Sequence, residues 1–185
     1  MKPFAAICHA RMLSMSQILQ AKLKTVTEMS LLARQFRSAG RKLVFANGCF
    51  DLIHVGHVRY LQGARAEGDV LVVGINSDAS VKAIKGDGRP IMPALERAEI
   101  IASLESVDYV LIFDAPTVDG LLLDLKPDVH AKGTDYTAAS VPERDTVASV
   151  GGRVAIVGDP KNHSTRDLIR LLASKLDKCP HHKKY

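Results

Sequence analysis

Five short apolar runs, separated by amphipathic segments of helical length, leave this chain few ways to bury its hydrophobic residues. The runs lie at Lys42 to Ala46, Val70 to Ile75, Tyr109 to Phe113, Val129 to Ala131 and Arg153 to Val157, each nearly continuous in β-branched or apolar side chains. A strand that is apolar on both faces must be covered on both, which marks a parallel sheet held between helices. Helical patterns fill the gaps at His57 to Glu67, Ser80 to Ile84, Leu95 to Leu104, Thr117 to Leu125 and Pro142 to Val150. A last one covers Thr165 to Lys175, and an amphipathic segment, roughly Ser16 to Ser38, precedes the first run. Strand and helix in alternation predict a Rossmann-like three-layer α/β/α sandwich of the doubly wound type, with a five-stranded parallel sheet. Ligands bind to such a fold beyond the carboxyl ends of the strands, at the switch point of the strand order.

A chain of 185 residues with 46% hydrophobic content supports one core and excludes disordered and disulfide-stapled classes. Residues 29–175 are expected to form that domain, with 1–28 as an N-terminal extension and 176–185 as a basic tail. The net charge of +5 is concentrated at the ends: residues 1–24 carry Lys2, Arg11, Lys22 and Lys24 with no acid, and the last eleven residues carry four Lys against Asp177. The body between them is slightly acidic, and aromatic residues make up 5% of the chain, so no nucleic acid is expected as a partner. Cys8, Cys49 and Cys179 form no CxxC pair and no disulfide framework, which points to a reducing, cytoplasmic setting. No apolar stretch approaches the roughly 20 residues of a membrane span, and His9 and Arg11 interrupt the only candidate signal core, so no membrane partner is expected.

The most informative stretch is KLVFANGCFDLIHVGHVRYL, residues 42–61, in which a strand ends at Asn47-Gly48, turns, and enters a helix through His54-Val55-Gly56-His57. His54 and His57 share a face of that helix start, and Gly56 leaves room for a ligand to approach. Two imidazole donors beside the positive end of a helix make an anion site suited to charge that builds on a phosphate during transfer. Taken alone, an HxxH pair is better read as surface decoration or an incidental metal site. A glycine-flanked turn directly after a buried strand is, however, where phosphates bind in this architecture. No third ligand of suitable type stands near the pair, so no metal site is expected there.

The run NGCFDLIHVGH resembles the nucleotidyltransferases with an HxGH signature, the cytidylyltransferase-like family. Downstream pieces agree in order: Gly74-Ile75-Asn76-Ser77-Asp78, Lys85-Gly86-Asp87-Gly88-Arg89-Pro90, Glu96-Arg97, Lys132-Gly133-Thr134-Asp135-Tyr136, and Ser164-Thr165. Over residues 42–175 the chain is similar to the branch that transfers AMP from ATP to D-glycero-D-manno-heptose 1-phosphate, a step toward the heptose of the lipopolysaccharide core. The alternatives are cytidylyl transfer to glycerol 3-phosphate or another small phosphate, and a non-catalytic nucleotide-binding protein.

The resemblance implies that a substrate phosphate attacks the α-phosphorus of ATP and expels pyrophosphate, with no covalent enzyme intermediate. It implies His54, His57 and Lys85 as catalytic residues. It places Asn47, Gly48, Cys49, Phe50, Asp78, Arg97, Lys132, Gly133, Asp135, Ser164 and Thr165 at the nucleotide, and Asp51, Lys85 and Arg89 at the second substrate. It also implies Mg²⁺ held chiefly by triphosphate oxygens and water, and it leaves a homodimer open. Each residue has a plainer reading. Lys85 and Arg89 are also readable as solvated charges, Arg97 as a surface partner of Glu96 or Glu99, Asp51 as a turn residue, Ser164 as an N-cap and Cys49 as a small buried side chain.

Overall fold

All five apolar runs are strands of one parallel sheet. The computed structural model describes residues 15–160 and 165–176. Their order along the chain is α1 (Met15–Lys22), α2 (Val26–Ser38), β1 (Leu43–Gly48), α3 (Val55–Arg65), β2 (Val70–Asn76), α4 (Asp78–Lys85) and α5 (Ala94–Ala102). There follow β3 (Tyr109–Phe113), α6 (Asp119–Leu125), β4 (Val129–Gly133), a 3₁₀ turn (Ala138–Ser140), α7 (Arg144–Ser149), β5 (Arg153–Val157) and α8 (Thr165–Leu176). The sheet order β3-β2-β1-β4-β5 places the switch point between β1 and β4.

Alternation along the strands divides the core into two layers. Val44 and Ala46 of β1, Leu71 and Val73 of β2 and Ala131 of β4 face Leu61 and Ala64 of α3 and Ile101 of α5. Phe45 of β1, Val72 of β2 and Leu111 of β3 face Met29 and Phe36 of α2 and Leu122 of α6. At the amino ends of the strands, three aspartates fix the register. Asp69 accepts from Lys42 N, Asp128 from Leu43 N and Asp108 from Leu71 N, at 2.7 to 2.8 Å.

The amphipathic stretch 16–38 is two helices, not one. Leu23 forms a parallel bridge to Val110 of β3, and Lys24 N donates to Val110 O at 2.9 Å, so the chain must be extended there. Thr25 then starts α2 with a reciprocal capping box to Glu28. Residues 15–28 are packed onto the body: Ile18, Leu19 and Leu23 lie against the α3/α5 core, and Lys22 donates to Val107 O at 2.6 Å. Strands β1 and β4 run two residues beyond their predicted ends, through pairings Asn47↔Gly74 and Gly133↔Val157. That extension carries polar residues onto the sheet's carboxyl edge.

Close approach of α3 to the end of β5 depends on two glycines. A Cβ on Gly63 would lie 3.1 Å from Val157 Cβ, and one on Gly158, which has φ +92°, would lie 3.2 Å from Tyr60 Cα. This contact seats the second half of α3 against the end of β5.

Candidate active site

The turn after β1 aims its side chains by spending backbone strain. Phe50 sits at φ +45°, a left-handed conformation that costs a residue with a Cβ on the order of 1–2 kcal/mol. Burying its ring to 3% exposure offsets that cost, and the ring meets His57 edge-on at a centroid distance of 5.3 Å. His54, extended at φ −140°, is the N-cap of α3, and its backbone N–H donates to His57 Nδ1 at 3.3 Å. That bond leaves Nδ1 as an acceptor and puts the proton of neutral His57 on Nε2. The two rings stack at 3.9 Å. Burial, with smaller contributions from His54 and Lys85, lowers the His57 pKa from 6.5 to about 4. His57 is therefore a neutral hydrogen-bond donor at pH 7, and the charge at this helix start comes from the backbone amides and the neighbouring cations.

The Gly-rich segment after α4 forms the facing wall. Lys85 is exposed at the last turn of α4, followed by Gly86 and Gly88 at φ +86° and +79°. The far end of the segment is pinned: Arg89 Nε pairs with Asp51 Oδ2 at 2.9 Å, and Asp51 Oδ1 accepts from Ile91 N at 2.7 Å and Met92 N at 3.1 Å. Asp51, whose side chain is fully buried, thus ties the β1 turn to the loop. Arg89 Nη1 is buried with no partner among the described residues, a donor left over for an anion.

One cleft of about 990 Å³ opens between these walls, at the upper end of small-molecule sites. It is lined by Asn47 through Asp51, by His54 and His57, by Lys85 and Arg89, by Lys132, Gly133 and Asp135, and by Thr165. Two expected residues, Arg97 and Asp78, do not line the cleft but pair with each other beside it. Arg97, with no exposed surface, donates to Met92 O, Asn76 O, Asp78 Oδ1 and Cys49 O, so it joins the loop, β2 and the β1 turn. A pairing of Arg97 with Glu96 or Glu99 on the helix surface is ruled out by this burial, because a guanidinium without solvent needs every donor satisfied. Ser164 lies outside the described residues, and Thr165 is buried with its hydroxyl donating to Leu52 O at 3.3 Å. The Cys49 thiol is pushed up by burial, which favours a packing role over nucleophilic chemistry.

Sequence reasoning passed over several lining residues. Tyr60, one turn beyond His57 on α3, donates its hydroxyl to Ala131 O at 2.8 Å. Asn76 ends β2 as Asn47-Gly48 ends β1, and the position after a buried run was the available signal. Asp159 pairs with Arg59 at 2.5 Å and accepts from Thr134 through its carbonyl at 2.7 Å. Only strand order brings these segments together. The ordinary-looking His130 is fully buried, and burial with Lys132 nearby lowers its pKa to about 3.

Acid sensitivity follows. His57 and His130 have folded-state pKa values of about 4 and about 3 against 6.5 for the free side chain. Below pH 6.5 the unfolded chain therefore takes up protons that the folded one refuses. Stability should be level above about pH 7.5 and fall as pH drops toward 4, by up to about 1.4 kcal/mol per pH unit for each His. Urea denaturation at pH 7.5, 6 and 5 checks this, and a midpoint that holds or rises on acidification contradicts it.

Residues 45–171 match the Cytidylyltransferase-like family. The bifunctional protein HldE of Geobacter metallireducens is 49% identical over 149 residues, which cover 80% of this chain and 30% of HldE. HldE of Methylobacillus flagellatus is 50% identical over 147 residues, again 30% of its length. The chain thus spans about a third of these relatives. Among solved structures, a lipopolysaccharide core biosynthesis protein from Thermoplasma volcanium is 25% identical with a TM-score of 0.57, covering 66% of this chain and all of its own. Pantothenate synthetase from Thermus thermophilus, 15% identical with a TM-score of 0.54, shares the fold. The histidine turn at the switch point of this sheet therefore has the ancestry its sequence suggested, and the chain belongs to the cytidylyltransferase-like family.

Proposed function

We propose that this cleft transfers AMP from ATP to D-glycero-D-manno-heptose 1-phosphate, giving ADP-heptose and pyrophosphate in the cytoplasm. The observation that carries the reading is the identity near 50% with HldE proteins across the domain that holds the cleft. In this reaction an oxygen of the sugar phosphate forms a bond to Pα, and the bond from Pα to the bridging oxygen of pyrophosphate breaks. No residue need become covalently attached, so the protein's task is alignment and charge stabilisation. The α3 amides and the Nε2–H of His57 would donate to the triphosphate as Pα becomes five-coordinate, with His54 beside them. Lys85 and Arg89, on the opposite wall, would neutralise the incoming phosphate, Arg89 held in place by Asp51. Among the described residues no three His, Cys, Asp or Glu side chains gather into a metal-holding group. The carboxylates at the cleft, Asp135 among them, fit a water-mediated contact to a Mg²⁺ carried by the triphosphate, which would add charge neutralisation when bound. No helix of the described residues is long and apolar enough to cross a membrane.

The test is a substrate panel. The full chain is incubated with each of the four nucleoside triphosphates and with heptose 1-phosphate, glycerol 3-phosphate or choline phosphate. Pyrophosphate release and the mass of the nucleotide product are recorded. ADP-heptose formed from ATP is expected. Preferential CDP-glycerol or CDP-choline formation would replace the reading, and nucleotide binding without any product would make the protein a sensor.

A further inference from the structure

At the cleft floor, on the sheet face away from α3, lies a polar cluster that the transfer chemistry does not use; Asn47 and Lys132 line the cleft, and His130 and Glu143 lie beneath them. Phe45 of β1 is the register partner of His130 of β4, so Asn47, His130 and Lys132 share one face at the switch point. Glu143, the N-cap of α7, closes the cluster from below with 9% exposure. Lys132 Nζ lies 3.3 Å from Glu143 Oε1, 3.1 Å from Glu143 Oε2 and 3.1 Å from Asn47 Oδ1. His130 Nε2 lies 3.1 Å from the same Asn47 oxygen.

The hydrogen-bond directions in this cluster are forced. An ammonium donates and never accepts, so Asn47 must turn its oxygen, not its nitrogen, toward Lys132. His130 Nε2, facing that same oxygen, must then carry a proton and donate. With both lone pairs of Oδ1 used, the two hydrogens on Asn47 Nδ2 have no partner among the described residues, and Asn47 lines the cleft. His130 Nδ1, buried and without a partner, is the bare nitrogen this tautomer requires. Glu143 supplies the counter-charge that an ammonium with 8% side-chain exposure needs once water is removed from it.

We propose that Glu143, acting through Lys132, locks the Asn47 side chain so that its amide NH₂ faces the cleft as a double donor to an acceptor oxygen of the bound nucleotide. Glu143, Lys132 and His130 are positioning residues; Asn47 is the group that touches the ligand. The nucleotide is chosen over the sugar phosphate because Asn47 stands at the β1/β4 switch point, whereas the cations suited to a second phosphate, Lys85 and Arg89, follow β2. The inference rests on the reading of the cleft as a nucleotide site and not on which phosphate accepts the AMP.

The experiment uses the full chain and three measurements. In the unliganded wild type, long-range ¹H–¹⁵N spectra should show His130 protonated at Nε2 with bare Nδ1, and Glu143→Gln should abolish that pattern. In Asn47→Asp the inward oxygen still accepts from Lys132 and His130, so Tm should hold, while the outward atom becomes an anionic acceptor. ATP affinity by calorimetry should then weaken about 10- to 100-fold, with the KM for heptose 1-phosphate nearly unchanged. Glu143→Gln should weaken ATP binding with a smaller effect on kcat, and Glu143→Asp should recover part of the loss. A folded Asn47→Asp protein with wild-type ATP affinity overturns the proposal, as does a His130 protonated at Nδ1 in the wild type. A shift confined to the heptose 1-phosphate KM also overturns it. The expected tautomer and loss of ATP affinity in a protein that makes no ADP-heptose would uphold this device and sink only the substrate assignment.

Discussion

His57→Ala is expected to lower turnover about 10²- to 10³-fold, the scale on which removing one preorganised donor to developing charge is felt. ATP affinity should change less, by about tenfold at most, because the triphosphate keeps the α3 amides and the donor counts most where charge is building. The geometry behind the prediction is specific. His57 is wedged between the rings of His54 and Phe50 and accepts at Nδ1 from His54 N, so Nε2–H has one available direction. Because the ring is neutral at pH 7, what it supplies is a placed hydrogen bond. His57→Asn, which keeps a short N–H donor, should retain more turnover than the alanine variant. Single-turnover kinetics with saturating ATP measure the chemical step directly. Near-normal turnover in a folded His57→Ala protein would remove the anion site from this helix start.

Lys85→Ala is expected to cost a comparable factor in kcat/KM for the sugar phosphate, about 10² or more, on the electrostatic scale of a lost cation at the reacting phosphates. Lys85 ends α4 with an exposed side chain, while Arg89, four residues on, is clamped to Asp51. Between them Gly86 and Gly88 hold positive φ, and the exposed Lys85 side chain extends from the end of the helix, so its ammonium can reach two anions that repel each other. Lys85→Arg should rescue only in part, since a planar fork replaces a compact point charge. Gly86→Val has open space around the new side chain but the wrong backbone conformation, and it should reproduce the defect without removing a charge. Unchanged kcat and KM in Lys85→Ala, with varied heptose 1-phosphate, would exclude Lys85 from the mechanism.

The parts of the site that were legible are those in which a local pattern dictates local geometry. Asn47 through His57 form a strand end, a turn and a helix start within eleven residues, so spacing alone places both histidines at the start of α3, where they line the cleft. Arg97 is the opposite case. Its neighbours Glu96 and Glu99 offered a surface pairing, yet its four partners come from the loop at Met92, the end of β2, the start of α4 and the turn at Cys49. The break at Leu23 was hidden for a similar reason, because the bond that forces it comes from Val110.

What the sequence by itself determined is therefore the sheet, its two covering layers, and the histidine turn with its glycine-rich loop. Strand burial and helix starts are decided by periodicity and capping within a dozen residues, which one chain segment carries alone. The order β3-β2-β1-β4-β5 turned those pieces into a single cleft. Tertiary structure alone decided the protonation state of His57, the burial of Arg97 and the orientation of Asn47. Each of these depends on removing water from a polar group and on which distant donor or acceptor then faces it, and neither is a property of residues close in sequence.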